Sequence, residues 1–225
     1  MATSAAEDYL KAILIEEQRS GAERVGMGQI AAALGVAPGT VTSMVKALDD
    51  GGLVAYEPYG GVRLTTAGRQ LAAHVVRRHR LIELFLVRVL GLDWSEVHAE
   101  AELLEHAASG RIIDRMDEML GHPTVDPHGD PIPDAEGALA TIEHPDLLHC
   151  PAGVPLRIVR VSDQGPEFLR LVERSGLAPG SRVTVERHDQ AADTIHLRVE
   201  DGRRVSLGSR AASKLLAEPS VPQDT

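Results

Sequence analysis

The sequence predicts a mainly α-helical protein with a small C-terminal β-barrel. Three observations carry that expectation. As far as residue 120 the apolar residues recur at helical spacing, and beyond Leu156 the spacing shifts toward two. Between them, residues 121–155 are dense in Pro, Gly, Asp and His, the composition of an ordered loop rather than a helix.

The elements follow in chain order. Residues 5–18 place Ala6, Leu10, Ile13 and Leu14 on one face of a first helix. A short helix over 27–36 turns Ile30, Ala31 and Leu34 inward and stops at Gly35. Residues 37–53 begin with Pro38 at a first-turn position, carry Val41, Met44, Val45 and Leu48 on one face, and end at Gly51-Gly52. Two short helices joined by a tight glycine-containing turn form a helix-turn-helix pattern. Residues 54–68 read as two short strands around Tyr59-Gly60-Gly61, a wing, with Thr65 or Thr66 capping the next helix. That helix runs from about Thr66 to Leu90 through Leu71, Val75, Leu81, Leu84, Phe85 and Leu86. Another follows from Ser95, as N-cap, to about Ala108, and a shorter one from Arg111 to Leu120. Arg157–Val161, Arg182–Glu186, Thr194–Val199 and Arg204–Leu207 read as barrel strands, with a helix at 166–175 and a frayed tail from Pro219.

Composition narrows the setting. No apolar run approaches the ~20 residues of a membrane helix, and Met1 to Asp8 lack the marks of a secretory signal, so a cytoplasmic protein without membrane contact is expected. Cys150, the single cysteine, excludes an internal disulfide, suits a reducing compartment and reads as a semi-buried linker residue. The net charge of −10 is unevenly spread: residues 1–80 carry +1 and the remainder −11. Contact with DNA therefore belongs to the first third, and the acidic remainder suits a cation.

The chemistry concentrates on the predicted helices. Glu102, Glu105 and His106 stand at i, i+3 and i+4, with His98 one turn earlier, and His79 and Glu83 form an i, i+4 pair on the preceding helix. Glu7 and Asp8 reach this group only if the first helix packs against the other two. Clustered carboxylates repel unless a cation, protons or basic partners compensate, and 93–110 holds no matching excess of Lys or Arg. The alternative is that each is a solvated surface residue. Asp8, Glu102, Glu105 and His106 would offer mostly hard oxygen, one imidazole and no thiolate. That set suits Mn(II), with Fe(II) a close competitor, while Zn(II), Co(II) or Ni(II) can substitute in vitro.

These residues match a known pattern. The AEDYLKAI start, the helix-turn-helix and wing, the RRHRLIELFLVRVLGLDWSEVHAEAELLEH block and the DPHGDPIP loop resemble the diphtheria toxin repressor family, particularly its manganese-responsive MntR-type branch. The resemblance implies a primary site of Asp8, Glu102, Glu105 and His106. It implies an ancillary site of His79, Glu83 and His98, completed from an SH3-like, FeoA-like C-terminal domain for which Gln164 and Glu167 are the candidates. It further implies a homodimer on double-stranded operator DNA that represses metal-homeostasis genes, with no organic substrate and no enzymatic activity. Iron-sensing members place Met and Cys where this chain has Asp8 and Glu102, which favours manganese. Compact manganese regulators carry a glutamate at the position of Lys11, so two separated sites are expected here rather than a paired-metal centre, and Lys11 reads as a solvated helix residue.

The expected domains are a winged helix-turn-helix over 1–73, a helical dimerisation and metal-binding domain over 74–140, a linker over 141–152, an SH3-like domain over 153–218 and a flexible tail over 219–225. In the reader, Ala37, Gly39, Thr40, Thr42 and Ser43 face the bases, while Lys46 and Arg63 are placed for phosphates. The metal would act as a clamp between Asp8 and the later ligands, fixing the two recognition helices of a dimer about 34 Å apart. A metallohydrolase would need an open coordination position and an adjacent base, and it leaves the winged domain without a role. A regulator answering to an organic ligand leaves the charge clustering unexplained.

Overall fold

The structure, a computed structural model, describes residues 3–140 and 143–220. Helix α1 (Ser4–Ser20) starts where the Thr3 side chain accepts from Ala6 N and ends at Gly21, whose φ of 64° only glycine adopts without cost. Helices α2 (Met27–Leu34) and α3 (Pro38–Asp50) follow, α3 with Pro38 in its first turn and Ala37 at its N-cap. Strands β1 (Val54–Glu57) and β2 (Gly61–Leu64) pair antiparallel, Val54 opposite Leu64, and form the wing. Leu10, Ile13, Ile30, Val41, Val45 and Val62 are fully buried in the core these elements share. Each such side chain contributes about 1.5–3 kcal/mol by leaving water.

Thr65 caps α4 (Thr66–Arg88), its Oγ1 accepting from Gly68 N at 3.1 Å. Gly68 is demanded by close approach, because a Cβ there would lie 1.8 Å from Leu53 O. Helices α5 (Val97–Leu104) and α6 (Gly110–Leu120) are shorter. The expected start of α5 at Ser95 is corrected: Ser95 N instead donates to the Asp93 carboxylate at 2.7 Å, and the helix begins two residues later. Its end is also corrected, since Glu105 and His106 lie in a turn closed by Ala107 N and Ala108 N on Leu104 O.

The chain forms two compact units. One comprises residues up to His79, Leu104–Ile113 and Ile132–Ala140, and the other comprises Arg80–Leu103, Asp114–Pro131 and the C-terminal part. The second contains a five-stranded antiparallel sheet in the order β6-β5-β4-β3-β7, built from β3 (Pro155–Val161), β4 (Arg182–Asp189), β5 (Thr194–Val199), β6 (Arg204–Gly208) and β7 (Leu215–Pro219). Breaks in register in β3 and β4 twist it. Helix α7 (Pro166–Arg174) follows β3, and α8 (Ser209–Ala212) links β6 to β7.

Strand β7 was not among the four expected. It pairs with β3, and Ser220 N donates to Pro155 O at 2.9 Å, so residues 219 and 220 are held; 221–225 of the expected tail lie outside the described residues. Of the expected linker, 141 and 142 also lie outside them, but Leu147 and Cys150 are core residues of the second unit, and Leu147 N donates to Leu215 O. Cys150 is thus a packed core side chain, with burial and the nearby Asp146 charge pushing its thiol pKa up. The DPHG segment is the ordered loop expected. Asp126 Oδ1 accepts from His128 N at 2.8 Å and Asp130 N at 2.9 Å, and Val161 N of β3 donates to His128 O.

Candidate metal centres

In the first unit α1 presents Glu7 and Asp8, and the turn after α5 presents Glu105 and His106. One ligand atom each from Asp8, Glu105 and His106 lies within 4.8 Å of the others. His106 Nε2 is 2.8 Å from Asp8 Oδ1 and 3.5 Å from Glu105 Oε1. Its Nδ1 is 2.8 Å from Glu7 Oε2, and Glu7 is also paired with Arg78 at 2.9 Å. Glu7 therefore orients the imidazole, as the partners of metal-binding histidines commonly do.

Glu105 is fully buried, its Oε2 2.5 Å from His79 Nδ1 and its Oε1 2.7 Å from Lys11 Nζ. Burial alone would raise this carboxyl's pKa, but hydrogen bonds and charge from His79 and Lys11 outweigh it and hold the value below the usual glutamate range. For His106, burial favours the neutral ring, yet hydrogen bonds with Glu7 and Asp8 and the charges of Asp8 and Glu105 prevail and raise its pKa. The group thus favours positive charge: metal-free, it attracts a proton onto His106. Two carboxylates and an imidazole at this spacing fit a divalent cation with a preference for oxygen. The expectation that Lys11 is solvated is corrected, because its side chain is 8% exposed and ion-paired.

In the second unit Glu83 Oε1 lies 3.2 Å from His98 Nδ1, and Glu102 Oε1 lies 3.6 Å from His98 Nε2. A further group, Glu83, Asp126 and His128, is buried at all three positions, with one ligand atom each within 4.8 Å of the others. His128 Nε2 lies 3.0 Å from Trp94 O, which can only accept, so Nε2 carries a proton and Nδ1 is the ring nitrogen left for the other side. That Nδ1 faces Glu83 Oε2 at 3.9 Å and Asp126 Oδ1 at 4.0 Å. Neither His128 Nδ1 nor Asp126 Oδ2 has a hydrogen-bond partner among the described residues. Burial and the charges of Asp130 and Glu83, only partly countered by Arg80, push the Asp126 pKa well up. A buried imidazole nitrogen and a buried carboxylate oxygen that make no hydrogen bond are costly, and a cation held there would offset that cost.

Of the two residues expected from the C-terminal domain, Gln164 donates to Asp130 Oδ2 at 2.7 Å, at the edge of this network. Glu167 is exposed in the first turn of α7 and belongs to none of the candidate metal groups among the described residues. Sequence reasoning reaches the motif that holds Asp126 and His128 but misses the two as ligands. The signal was the Asp-x-His spacing inside a rigid Pro/Gly loop.

On α3, Gly39, Thr40, Ser43 and Lys46 are exposed and Thr42 is half-buried, while Arg63 is exposed on β2. Thr42 and Ser43 donate their hydroxyls to Pro38 O and Gly39 O, at 3.1 and 3.2 Å. Tyr59 stands fully exposed at the wing tip with φ 64°.

Three family descriptions match. They are an iron dependent repressor N-terminal DNA binding domain over residues 1–62, an iron dependent repressor metal binding and dimerisation domain over 65–134, and a FeoA domain over 146–219. The iron-dependent repressor IdeR of Mycobacterium leprae (strain TN) is 37% identical over 161 residues, 65% of this chain and 69% of its own length. The HTH-type transcriptional regulator MntR of Lysinibacillus sphaericus (strain C3-41) is 38% identical over 120 residues, 53% of this chain and 84% of its own. A solved manganese-dependent transcriptional repressor in complex with manganese superposes with a TM-score of 0.87 at 40% identity, covering 96% of this chain and all of that one. With a winged DNA-binding domain, a helical metal-binding and dimerisation domain and a FeoA domain in that order, the chain belongs to the diphtheria toxin repressor family of metal-dependent transcriptional repressors.

Proposed function

We propose that Mn(II) is the activating ion, held by Asp8, Glu105 and His106, with Glu102 added by family resemblance alone, and that the loaded homodimer binds operator DNA in the cytoplasm. The observation that carries this reading is the convergence of Asp8, from the matched DNA-binding region, with Glu105 and His106, from the matched metal-binding region. A bound cation supplies the positive charge that otherwise comes from the proton on His106. The chain's own part is to tie α1, and through it α2 and α3, to the turn after α5. Metal then shifts the population toward the geometry that docks two recognition helices about 34 Å apart, and DNA tightens metal reciprocally.

Oxygen-rich ligands without a thiolate favour Mn(II), with Fe(II) the alternative and Zn(II), Co(II) or Ni(II) as substitutes in vitro. The 40% identity to a manganese-dependent repressor supports the first choice. A second ion is assigned to Glu83, Asp126 and His128, where His128 Nδ1 and Asp126 Oδ2 make no hydrogen bond among the described residues. His98, 3.2 Å from Glu83, and Gln164, bonded to Asp130, support this second position, and the family resemblance adds His79 and Glu167. Dimerisation is supported by Ile112 and Met119, two turns apart on α6 and 50% and 61% exposed. Thr40, Thr42, Ser43, Ala37 and Gly39 read the major groove through shape and methyl contacts, and Lys46 and Arg63 take phosphates.

The test is a DNA-binding titration with Mn(II) and with anaerobic Fe(II) at one fixed ionic strength, because phosphate contacts make affinity steeply salt-dependent. Wild-type protein is expected to bind operator DNA at lower Mn(II) than Fe(II). Asp8→Ala is expected to lose metal-activated binding while remaining a dimer. DNA binding by Asp8→Ala that still responds to Mn(II) as wild type does would refute the site.

A further inference from the structure

Lys11 stands three residues after Asp8 on α1, so it shares the helix face that points at the first cation position. Its ammonium lies 2.7 Å from Glu105 Oε1, and the two side chains are 8% and 0% exposed. The other oxygen of that carboxylate, Oε2, is taken by His79. Oε1 is thus the oxygen that faces His106 Nε2, at 3.5 Å, and through it Asp8. A buried ammonium is tolerated only beside a compensating charge. Lys11 finds that charge on the atom a metal would use.

We propose that Lys11 is a resident cation that occupies Glu105 in the metal-free protein and competes with the metal for its Oε1. Its role is to set the threshold at which the site fills. The proposal rests on the assignment of Asp8, Glu105 and His106 to a cation. Two consequences follow from Coulomb's law alone. With Lys11 present, the metal-free carboxylate is neutralised and the empty site is stable. As metal enters, the ammonium must leave Oε1 or share it against repulsion, so a higher free metal concentration is needed than the ligands alone would require. By linkage, removing the charge should weaken the metal-free state and tighten metal binding together. A purely structural ion pair predicts only the first effect.

The experiment uses the full chain and Mn(II), titrated against a competing chelator at one pH and ionic strength, with melting temperatures measured with and without metal. Lys11→Met keeps the apolar stem, Lys11→Gln keeps a neutral donor to Glu105, and Lys11→Arg keeps the charge. Both neutral variants are expected to bind Mn(II) at the Asp8-dependent site at least tenfold more tightly. They should also melt lower than wild type without metal, with a wider gap between loaded and unloaded forms. Lys11→Arg is expected to stay within about threefold of wild-type affinity. Should the neutral variants fail to fold without metal, amine labelling of wild-type protein read by mass spectrometry decides: Lys11 is expected to be protected without Mn(II) and labelled with it, and equal protection overturns the proposal. Folded neutral variants that bind Mn(II) no more tightly also overturn it, leaving the site assignment intact. If wild type and Asp8→Ala bind Mn(II) alike, the assignment itself fails and the role of Lys11 with it.

Discussion

Replacing Gly129 with alanine strikes the loop that carries Asp126 and His128 without touching either side chain. Gly129 sits at φ +87°, and a Cβ there would lie 2.0 Å from Val159 O and 2.8 Å from Arg160 Cα. Both neighbours are backbone atoms of β3, so no flexible side chain can yield. The left-handed conformation costs a non-glycine residue about 1–2 kcal/mol. Relieving the clash means lifting the loop off β3, which breaks the 2.9 Å bond from Val161 N to His128 O and strains the 3.2 Å bond from Gly129 N to Asp126 O. Each such bond is worth about 1 kcal/mol net, so the loss comes to about 3 kcal/mol. The assay is urea unfolding of metal-free protein followed by the fluorescence of Trp94, the single tryptophan, which stacks on His128 with ring centroids 5.4 Å apart. With a slope of about 2 kcal/mol per molar urea the midpoint should fall by about 1.5 M. Gly153→Ala is the control. It has φ +80° but open space where its Cβ would go, so only the conformational cost of about 1 kcal/mol applies. Equal midpoints for the two variants, or a Gly129→Ala protein indistinguishable from wild type, would refute the argument from loop contact. The same variant should titrate with one fewer Mn(II) than wild type.

Asp126→Asn should raise the metal-free urea midpoint, because it removes a buried charge while keeping the Oδ1 acceptor for His128 N and Asp130 N, and should eliminate the second cation. Because the folded pKa of Asp126 is raised, its contribution is favourable below the unfolded value and is lost as pH rises through the folded one; a metal-free stability profile with the same slope in wild type and variant would contradict this. For His106, whose folded pKa is also raised, the stability gained from its proton is likewise present at low pH and lost as pH rises through that value. Mn(II) must displace the Nε2 proton, so affinity should weaken tenfold for each pH unit below the folded His106 pKa, and calorimetry in buffers of different ionisation heat should detect proton release. Affinity independent of pH would refute the role of His106. Glu102→Cys should soften the first site and raise the response to Fe(II) relative to Mn(II) in DNA binding; an unchanged ranking would count against Glu102 as a ligand.

The elements that periodicity and punctuation specify were legible in the sequence. Helices α1 to α4 and the wing declare themselves through apolar spacing, Pro38, and glycines at Gly35, Gly51-Gly52 and Gly61, because their determinants are local. Strand β7 was not legible: Leu215, Leu216 and Ala217 form an apolar run without alternation, and their strand character comes from pairing with β3, some 60 residues away. The early end of α5 was hidden because Glu105 and His106 keep helical spacing while leaving the helix. Asp8, Glu105 and His106 were readable as a set only with the family pattern, since the contact spans 98 residues. Lys11 was misread for the same reason, its partner lying 94 residues on. A lysine among polar neighbours on a helix looks solvated until the chain that covers it is known.

The two proposed cation positions differ in what the metal-free chain does with their charge, and that difference assigns them different work. At the first, Lys11 and His79 answer Glu105, while Arg78 answers Glu7. The empty site is therefore electrostatically satisfied, and metal must displace resident positive charge to enter. At the second, His128 is fixed by Trp94 O with its Nδ1 toward two carboxylates, and the buried Asp126 Oδ2 makes no hydrogen bond among the described residues, Arg80 Nε standing 3.8 Å from it. Burial and the neighbouring carboxylates disfavour the Asp126 charge there more than Arg80 compensates, and a cation would offset that cost. A group that is stable empty and stable filled is the kind that can report concentration, since its two states lie close in free energy. A group that is costly empty fills at low concentration and stays filled, which suits it to hold the DPHG loop against β3. Sensing on this reading belongs to Asp8, Glu105 and His106, and loop architecture to Glu83, Asp126 and His128.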